Sequence, residues 1–253
     1  VIKAAVIALS TGLCTWGWIA GWQWAKTSPT FGMKELVFSG LSRATENELA
    51  RLGGLAPGLN LVAIDLDAVE RSLAAHPWVK SVSVRRQLPS TLRIDIDEHV
   101  PVAALAMGDL YWLNESAEPF KRAKADEGVD LPLITGIDRD TMVNQRERAL
   151  VNLKTAVELI GRYNQYESAK TQPLSEIHVE GGALTIITTS GEEARFNSFD
   201  LDGQLSRLVR VRAELTRRQL TAQVIRLNNR VKPGSVTVQL SGEGSEGGDR
   251  RGR

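Results

Sequence analysis

A long uncharged segment near the start of the chain constrains the fold more than any other feature. Residues 4–22 include no charged side chain, and Lys3 and Lys26 stand on either side of them. Their number matches the roughly 20 apolar residues with which a helix crosses the hydrocarbon core of a bilayer. The sequence therefore predicts a transmembrane anchor at residues 1–26. Four tryptophans suit the aromatic belt at a membrane interface: Trp16, Trp18, Trp22 and Trp24.

A cleaved signal peptide is the alternative for the same segment, because Lys3 and the apolar residues after it resemble the start of one. Cleavage requires small side chains one and three positions before the cut. Trp18 stands two residues before Ala20, and Gln23 stands two before Ala25, so neither small residue has the partner that it needs. The sequence thus favours an anchor that stays in place.

The composition of the whole chain limits the class of partner. The 253 residues leave room for about two small domains beside the anchor. A formal net charge of +1 creates no positive field that would gather nucleic acid, so we expect no nucleic-acid partner. The single cysteine, Cys14, lies in the uncharged segment. The remaining chain therefore has neither a disulfide framework nor a cysteine-based metal site.

Residues 30–98 carry the pattern of a small domain with the order strand, helix, helix, strand, strand. Thr45 and Glu48 have the spacing of a capping box, which starts the first helix. Asp65 caps the second helix and Pro77 stops it. Alternating apolar residues indicate the strands. In chain order the predicted elements are residues 34–39, 46–52, 66–76, 79–85 and 92–97.

Residues 99–240 predict a mixed, strand-rich domain with at least two helices, so the fold class is α+β. Leu150, Leu153, Val157 and Ile160 form one apolar stripe of a helix that packs on a sheet. Asp200 caps a later helix. We expect residues 121–130 to form an exposed loop and residues 241–253 to be disordered. The predicted strands are residues 102–106, 110–113, 175–179, 183–188, 192–196, 223–227 and 235–240.

No pattern in the chain predicts catalysis, a cofactor or a metal. Arg93, Asp95 and Asp97 share one strand face, which a solvated surface explains better than a paired-carboxylate site. A nucleophile-elbow sequence is absent. The three histidines lie far apart and lack neighbours at metal-ligand spacing. They are His76, His99 and His178.

Two groups of side chains have both a structural and a functional interpretation. Trp78 follows a helix-ending proline and precedes a strand, so we expect it in the core of the first domain rather than at a partner surface. Arginines on the helix after Asp200 could meet anionic lipid or an acidic partner, but a solvated basic face is the simpler interpretation. These are Arg207, Arg210, Arg212, Arg217 and Arg218.

A motif runs from the end of the second predicted helix into the start of the second domain: His76-Pro77-Trp78-Val79, Val82, Val84, Arg85, Pro89, Leu92-Arg93-Ile94, Ile96, Glu98 and Pro101-Val102-Ala103. The spacing of these residues resembles that of the FtsQ/DivIB family of bacterial cell division proteins. In that family a POTRA domain with the strand order given above follows a membrane helix and continues into a second, strand-rich domain. The chain matches this plan throughout, and its motifs agree best between Gly40 and Ala103.

The resemblance implies a non-enzymatic scaffold of the divisome, with a single membrane pass and the bulk of the chain outside the cytoplasm at the septum. It implies binding to the small coiled-coil membrane proteins FtsB and FtsL and to the septal peptidoglycan synthase complex at the inner membrane. The partner edge of the family corresponds to residues 223–240, although Asn228-Asn229 stand where an arginine and an aromatic residue are expected. The implied partner-binding residues are Asn229, Arg230, Gly234, Ser235, Val236, Val238 and Leu240.

Two other classes of protein compete with this interpretation. POTRA domains also guide nascent chains in protein transport and outer-membrane assembly by strand addition. The residues after Leu240 carry no pattern of membrane strands, and one POTRA-like unit joined to an inner-membrane helix fits cell division better. A membrane-tethered hydrolase would need a pocket with converging catalytic groups, and no motif indicates one.

Overall fold

The computed structural model describes residues 2–124, 127–128, 130–229, 232 and 234–241. The chain divides into two compact units, Val1–His99 and Val100–Arg253. Both units combine helices with a β-sheet, so the predicted α+β class is confirmed. Of the segment predicted to be disordered, all but Ser241 lies outside the described residues.

The first unit has the predicted order of elements in its folded part. A helix, α1, precedes a three-stranded sheet of order β1-β3-β2, in which β1 is parallel to β3 and β2 is antiparallel to it. Two short helices connect β1 to β2. The bounds are α1 Ile2–Thr27, a 3-10 turn Pro29–Phe31, β1 Glu35–Ser39, α2 Glu46–Leu52, α3 Leu66–Ala74, β2 Val79–Gln87 and β3 Thr91–Glu98.

Local signals place these elements where the sequence predicted them. The side chains of Thr45 and Glu48 form a complete capping box at the start of α2, and Asp65 accepts the Ala68 N–H at the start of α3. After β1, Gly40 has φ +83°, and a Cβ there would lie 1.9 Å from the carbonyl oxygen of Ile96. Only glycine fits a backbone that approaches a strand so closely.

The core of the first unit lies between its helices and its sheet. Leu49, Leu73, Leu92 and Ile94 are fully buried there. Trp78 is 7% exposed, which confirms its predicted burial. The guanidinium of Arg43 lies 4.7 Å from the centre of the Trp78 ring, at a distance that allows a cation–π contact.

The uncharged N-terminal segment forms α1, as the sequence predicted. Asn60 joins the end of this helix to the folded part of the unit, because its Nδ2 donates to the carbonyls of Ala25 and Ser28. The described helices include none that is sufficiently long and apolar to span a membrane. The transmembrane role of α1 therefore remains a prediction.

The second unit is built on one nine-stranded sheet of order β12-β11-β10-β9-β8-β7-β4-β5-β6. Parallel pairs, β4 with β7, β7 with β8 and β10 with β11, are mixed with antiparallel ones. The helices are α4 Arg139–Asn144, α5 Arg146–Tyr163, α6 Ser168–Thr171 and α7 Leu201–Arg217. The strands are β4 Ala103–Met107, β5 Asp109–Leu113, β6 Pro119–Arg122, β7 Leu133–Thr135, β8 Leu174–Glu180, β9 Ala183–Thr188, β10 Glu193–Asn197, β11 Ala222–Arg226 and β12 Thr237–Leu240.

The helices α5 and α7 contribute buried residues to the core over this sheet. Leu153, Val157 and Ile160 of the predicted stripe are buried. Leu150 was expected on the same stripe but is only half-buried. It lies at the margin of the buried face, which Ala149 and Ala156 complete. Alanine is small, so these two positions pack closely without belonging to the stripe of large apolar residues that the sequence shows.

Two short strands were missing from the sequence prediction. Residues 121–130 were expected to be a loop, but β6 extends to Arg122. Its polar composition is typical of the edge strand that it forms. The three residues of β7 lie between two parallel neighbours, and such a short strand shows no alternation.

The expectation of a solvated basic face on α7 was wrong for Arg212. This side chain is 7% exposed and donates to the Glu192 carboxylate and to the Tyr163 hydroxyl. By contrast, Arg217 and Arg218 are exposed and pair with Glu214 on their own helix. A buried arginine is stable only when its charge is paired, so Glu192 is what permits this position.

Candidate partner-binding edge

The strand β12 forms one end of the nine-stranded sheet. Among the described strands it pairs only with β11, in an antiparallel register that places Thr237 opposite Arg226 and Val238 opposite Ile225. Within the described residues no strand pairs with the other side of β12. An edge of this kind presents backbone N–H and C=O groups that an incoming strand can use.

The side chains of β12 follow the alternation of a strand with one buried face. Val238 is half-buried and packs against the core of the unit, as does Val236 just before the strand. Thr237 and Gln239 are exposed. The apolar face anchors β12 on the sheet, so the strand is held in place while its outer backbone stays accessible.

The direction of the backbone groups follows from one hydrogen bond beyond the strand. The N–H of Ser241 donates to the carbonyl of Thr221 at 2.9 Å, on the β11 side. In an antiparallel pair the groups of successive residues point alternately toward the partner and away from it. Thr237 and Gln239 therefore face β11, whereas the N–H and C=O of Val238 and Leu240 face the open edge.

The connection between β11 and β12 is held by its own polar side chains. Asn229 Nδ2 donates to the hydroxyl of Ser235 at 2.9 Å, and Asn229 Oδ1 accepts the N–H of Lys232 at 3.0 Å. The Ser235 hydroxyl in turn donates to the carbonyl of Lys232. Asn229 and Ser235 thus shape the connection, a structural role that the sequence did not predict for them.

The partner-binding residues that the family resemblance implied lie in two places. Val236, Val238 and Leu240 run along the edge, and their even spacing is the spacing of the outward backbone groups. The turn contains Asn229, Gly234 and Ser235. Arg230 and Pro233 lie outside the described residues.

The opposite end of the sheet is protected in a way that β12 is not. The edge strand β6 begins with Pro119, which has no N–H to offer. The carboxylate of Glu127 beside it accepts hydrogen bonds from Trp112 Nε1 and from Lys121 Nζ. Burial raises the pKa of Glu127, but hydrogen bonds from Lys121, Trp112 and Lys124 outweigh it and lower the pKa to about 2. In contrast, β12 contains neither proline nor charge.

The site offers backbone groups for pairing. Among the described residues, no group of three or more histidine, cysteine, aspartate or glutamate side chains is placed to hold a metal ion. The buried charges of Arg212 and Glu192 in the same unit neutralise each other. A row of backbone hydrogen-bond donors and acceptors on a fixed strand can bind an extended segment of another chain.

Comparison with known protein families decides the identity of both units. Residues 31–99 match the POTRA domain of FtsQ type, and residues 103–231 match the C-terminal domain of cell division protein FtsQ/DivIB. The chain belongs to the FtsQ/DivIB family. The second match includes β11 but ends before β12, so it does not extend to the candidate edge strand.

Several FtsQ proteins are similar over most of the chain. The cell division protein FtsQ of Myxococcus fulvus is 41% identical over 97% of this chain and 86% of its own length. The FtsQ protein of an Anaeromyxobacter species is 36% identical over 96% of the chain and 82% of its own length. That of Geotalea daltonii is 32% identical over 73% of the chain and 68% of its own length.

Proposed function

We propose that this FtsQ/DivIB protein is a non-enzymatic scaffold of the divisome that binds a partner by strand addition to β12. The observation that carries the proposal is the outward direction of the backbone groups of Val238 and Leu240. Membership of a family of cell division proteins supports a role in cell division. The composition of β6 supports the choice of β12, because of the two edge strands that the structure describes only β12 lacks proline and charge.

We infer that the partners are small coiled-coil membrane proteins of the FtsB and FtsL type, as the family resemblance implies. Through them the protein connects to the septal peptidoglycan synthase complex and helps to assemble or regulate septal synthesis. The side chains of β12 are uncharged, so main-chain hydrogen bonds rather than ion pairs supply most of the affinity at this strand.

The same proposal places α1 in the inner membrane as a single-pass anchor, with both folded units outside the cytoplasm at the septum. The apolar side chains that the structure describes on α1 are exposed around the helix, among them Leu13, Trp16, Trp18 and Ile19. Exposed apolar side chains in such number are typical of a surface that contacts a membrane or another protein. Retention of the full chain in carbonate-washed membranes supports this placement, and its release into the wash would contradict it.

Replacing Val238 by proline tests the edge most directly. Proline removes an N–H that points away from β11, so the ladder of the sheet keeps its own hydrogen bonds. Its ring also occupies the space of an added strand. We expect Val238→Pro to weaken binding of extracytoplasmic FtsB and FtsL segments more than tenfold, measured by titration calorimetry on the full chain in detergent.

Gln239→Ala is the matched control, because it changes an exposed side chain of the same strand and leaves every backbone group in place. It should bind as the unmodified chain does. Unchanged affinity in a folded Val238→Pro variant would remove the edge from the proposal. Absence of any binding by the unmodified chain would remove these partners.

A further inference from the structure

A large groove lies in the second unit, between one face of α5 and the turn that joins β5 to β6. We refer to it as the α5 groove, lined on the helix side by Arg146, Leu150, Lys154, Val157 and Gly161. Its volume is about 1230 Å³, which exceeds the roughly 300–1,000 Å³ of small-molecule pockets. An open groove of this size suits a segment of polypeptide.

The helix wall of the α5 groove is long and regular. Its lining residues recur every three or four positions, so they form one continuous face of α5. From Arg146 to Gly161 this face extends about 22 Å, at a rise of about 1.5 Å per residue. The face suits a helix of about four turns lying alongside α5.

Neither the φ of Gly161 nor any contact in the described part of the chain requires a glycine at this position. It lies inside α5, where glycine weakens a helix relative to alanine. A Cβ at this position would meet no heavy atom within 4 Å, and its φ is not among the left-handed ones. Glycine in the wall of a groove allows the backbone of a ligand to approach closely.

The opposite wall of the α5 groove has a fixed shape. Asn114, 1% exposed, accepts the N–H groups of Ser116 and Glu118 at 2.9 and 3.0 Å. Ala117 is held at φ +61°, a left-handed conformation that alanine rarely adopts. The turn is thus formed before any ligand arrives, so binding requires little ordering of this wall.

The charges of the α5 groove determine what it can accept. Arg146 and Lys154 are exposed, and neither side chain forms an ion pair or a hydrogen bond with any residue that the structure describes. Arg162 on the same helix is instead paired with Glu158 and Asp202. The two cations stand eight residues apart, or about 12 Å along the helix. Carboxylates with the same separation on a ligand would complement them.

We propose that the α5 groove binds an amphipathic helix of a partner protein. The apolar stripe of that helix lies over Leu150 and Val157, and two of its carboxylates, seven or eight residues apart, pair with Arg146 and Lys154. Glu115 and Glu118 on the turn repel acidic residues on the other flank of the helix. The inference is independent of β12, because β5 and β6 are at the other end of the strand order.

A designed peptide tests the proposal. The probe is a fluorescent, stapled helix of about 18 residues with a leucine stripe and two glutamates eight residues apart on one flank. Its fluorescence anisotropy is titrated with the full chain in detergent. We expect saturable binding, and at least tenfold weaker binding by the double variant Arg146→Glu with Lys154→Glu. A peptide with lysines in place of the two glutamates should prefer that double variant.

Two further variants separate the α5 groove from a general charge effect. Gly161→Leu fills the groove from a helix position with free space, so the unit should stay folded and peptide binding should fall at least tenfold. The double variant Arg139→Glu with Arg148→Glu changes the net charge equally, at positions that do not line the groove, and should bind normally.

Several outcomes would overturn the proposal. They include absence of saturable binding, equal binding by the wild-type chain and the Gly161→Leu variant, and equal loss in the Arg139 and Arg148 control. Equal binding of a proline-containing peptide that cannot form a helix would exclude the helical ligand. Self-association of the chain that Gly161→Leu abolishes, in sedimentation experiments, would assign the groove to a second copy instead.

Discussion

Arg212 on α7 donates two hydrogen bonds to the carboxylate of Glu192, at 2.9 and 2.7 Å, in the interior of the second unit. A third donor of the same guanidinium reaches the hydroxyl of Tyr163 on α5 at 2.9 Å. Burial raises the pKa of that hydroxyl, and the charge of Arg212 acts in the opposite direction. One arginine thus joins both large helices to the segment that precedes β10.

Arg212→Ala should destabilise the second unit by about 3–5 kcal/mol, because it leaves the carboxylate of Glu192 buried and unpaired. Chemical denaturation of the full chain, followed by circular dichroism, measures the loss. The double variant Arg212→Met with Glu192→Leu removes both charges and should recover most of the stability. Equal loss in the single and double variants would show that packing, and not the charge pair, is what matters.

Glu98 should hold the start of α2 in the first unit. Its carboxylate, on a residue 8% exposed, accepts the N–H groups of Ser42, Arg43 and Ala44 at 2.8–3.1 Å. Glu98→Ala should lower the free energy of unfolding by about 2–3 kcal/mol. Water can replace the carboxylate at the exposed Ser42 and Arg43, but the buried N–H of Ala44 would lose its partner. Hydrogen exchange at the Ala44 amide should accelerate accordingly, whereas Glu46→Ala, at an exposed position, should leave it unchanged.

The fold should lose stability in acid through Glu127. Its pKa in the folded chain is about 2, against 4.5 for the free side chain, so the ionised form is favoured by folding. The resulting stability is complete above pH 4.5 and is lost as the pH falls through about 2. Denaturation midpoints at pH 5 and pH 3 should differ less in Glu127→Gln than in the unmodified chain. Titration of the carboxyl near 4.5, by NMR, would contradict the account.

Two glycines separate a steric effect from a conformational one. Gly40 and Gly54 both have positive φ, but only at Gly40 would a Cβ meet the backbone, 1.9 Å from the carbonyl oxygen of Ile96. Gly54→Ala should lower the free energy of unfolding by about 1 kcal/mol, because alanine is strained at a positive φ. Gly40→Ala should cost clearly more, because β3 must also shift. Equal melting temperatures of the two variants would argue against the close approach.

Much of the first unit could be predicted from the sequence because its elements carry local signals. The capping residues Thr45 and Asp65 mark helix starts, and the alternation after Thr91 marks β3. Gly181 and Gly182 lie between β8 and β9, and both have positive φ, so a pair of glycines between two strands is a local signal of the same kind. Such signals depend on neighbours in the chain and need no knowledge of tertiary contacts.

The features that the sequence did not predict depend on distant contacts. Arg212 is buried because Glu192, twenty residues earlier, lies beside it. The short strand β7 exists because two parallel strands enclose it. For the candidate site, the family resemblance indicated the last strands, but the outward direction of Val238 and Leu240 follows only from the Ser241–Thr221 hydrogen bond.

The central claim is that a partner strand pairs with the open side of β12. Residue-resolved hydrogen exchange of the full chain in detergent, with and without FtsB and FtsL segments, tests it most directly. The account predicts that the amides of Val238 and Leu240 become protected at least tenfold on binding, while those of Thr237 and Gln239, already paired with β11, change little. Binding that leaves the exchange of Val238 and Leu240 unaltered would contradict it.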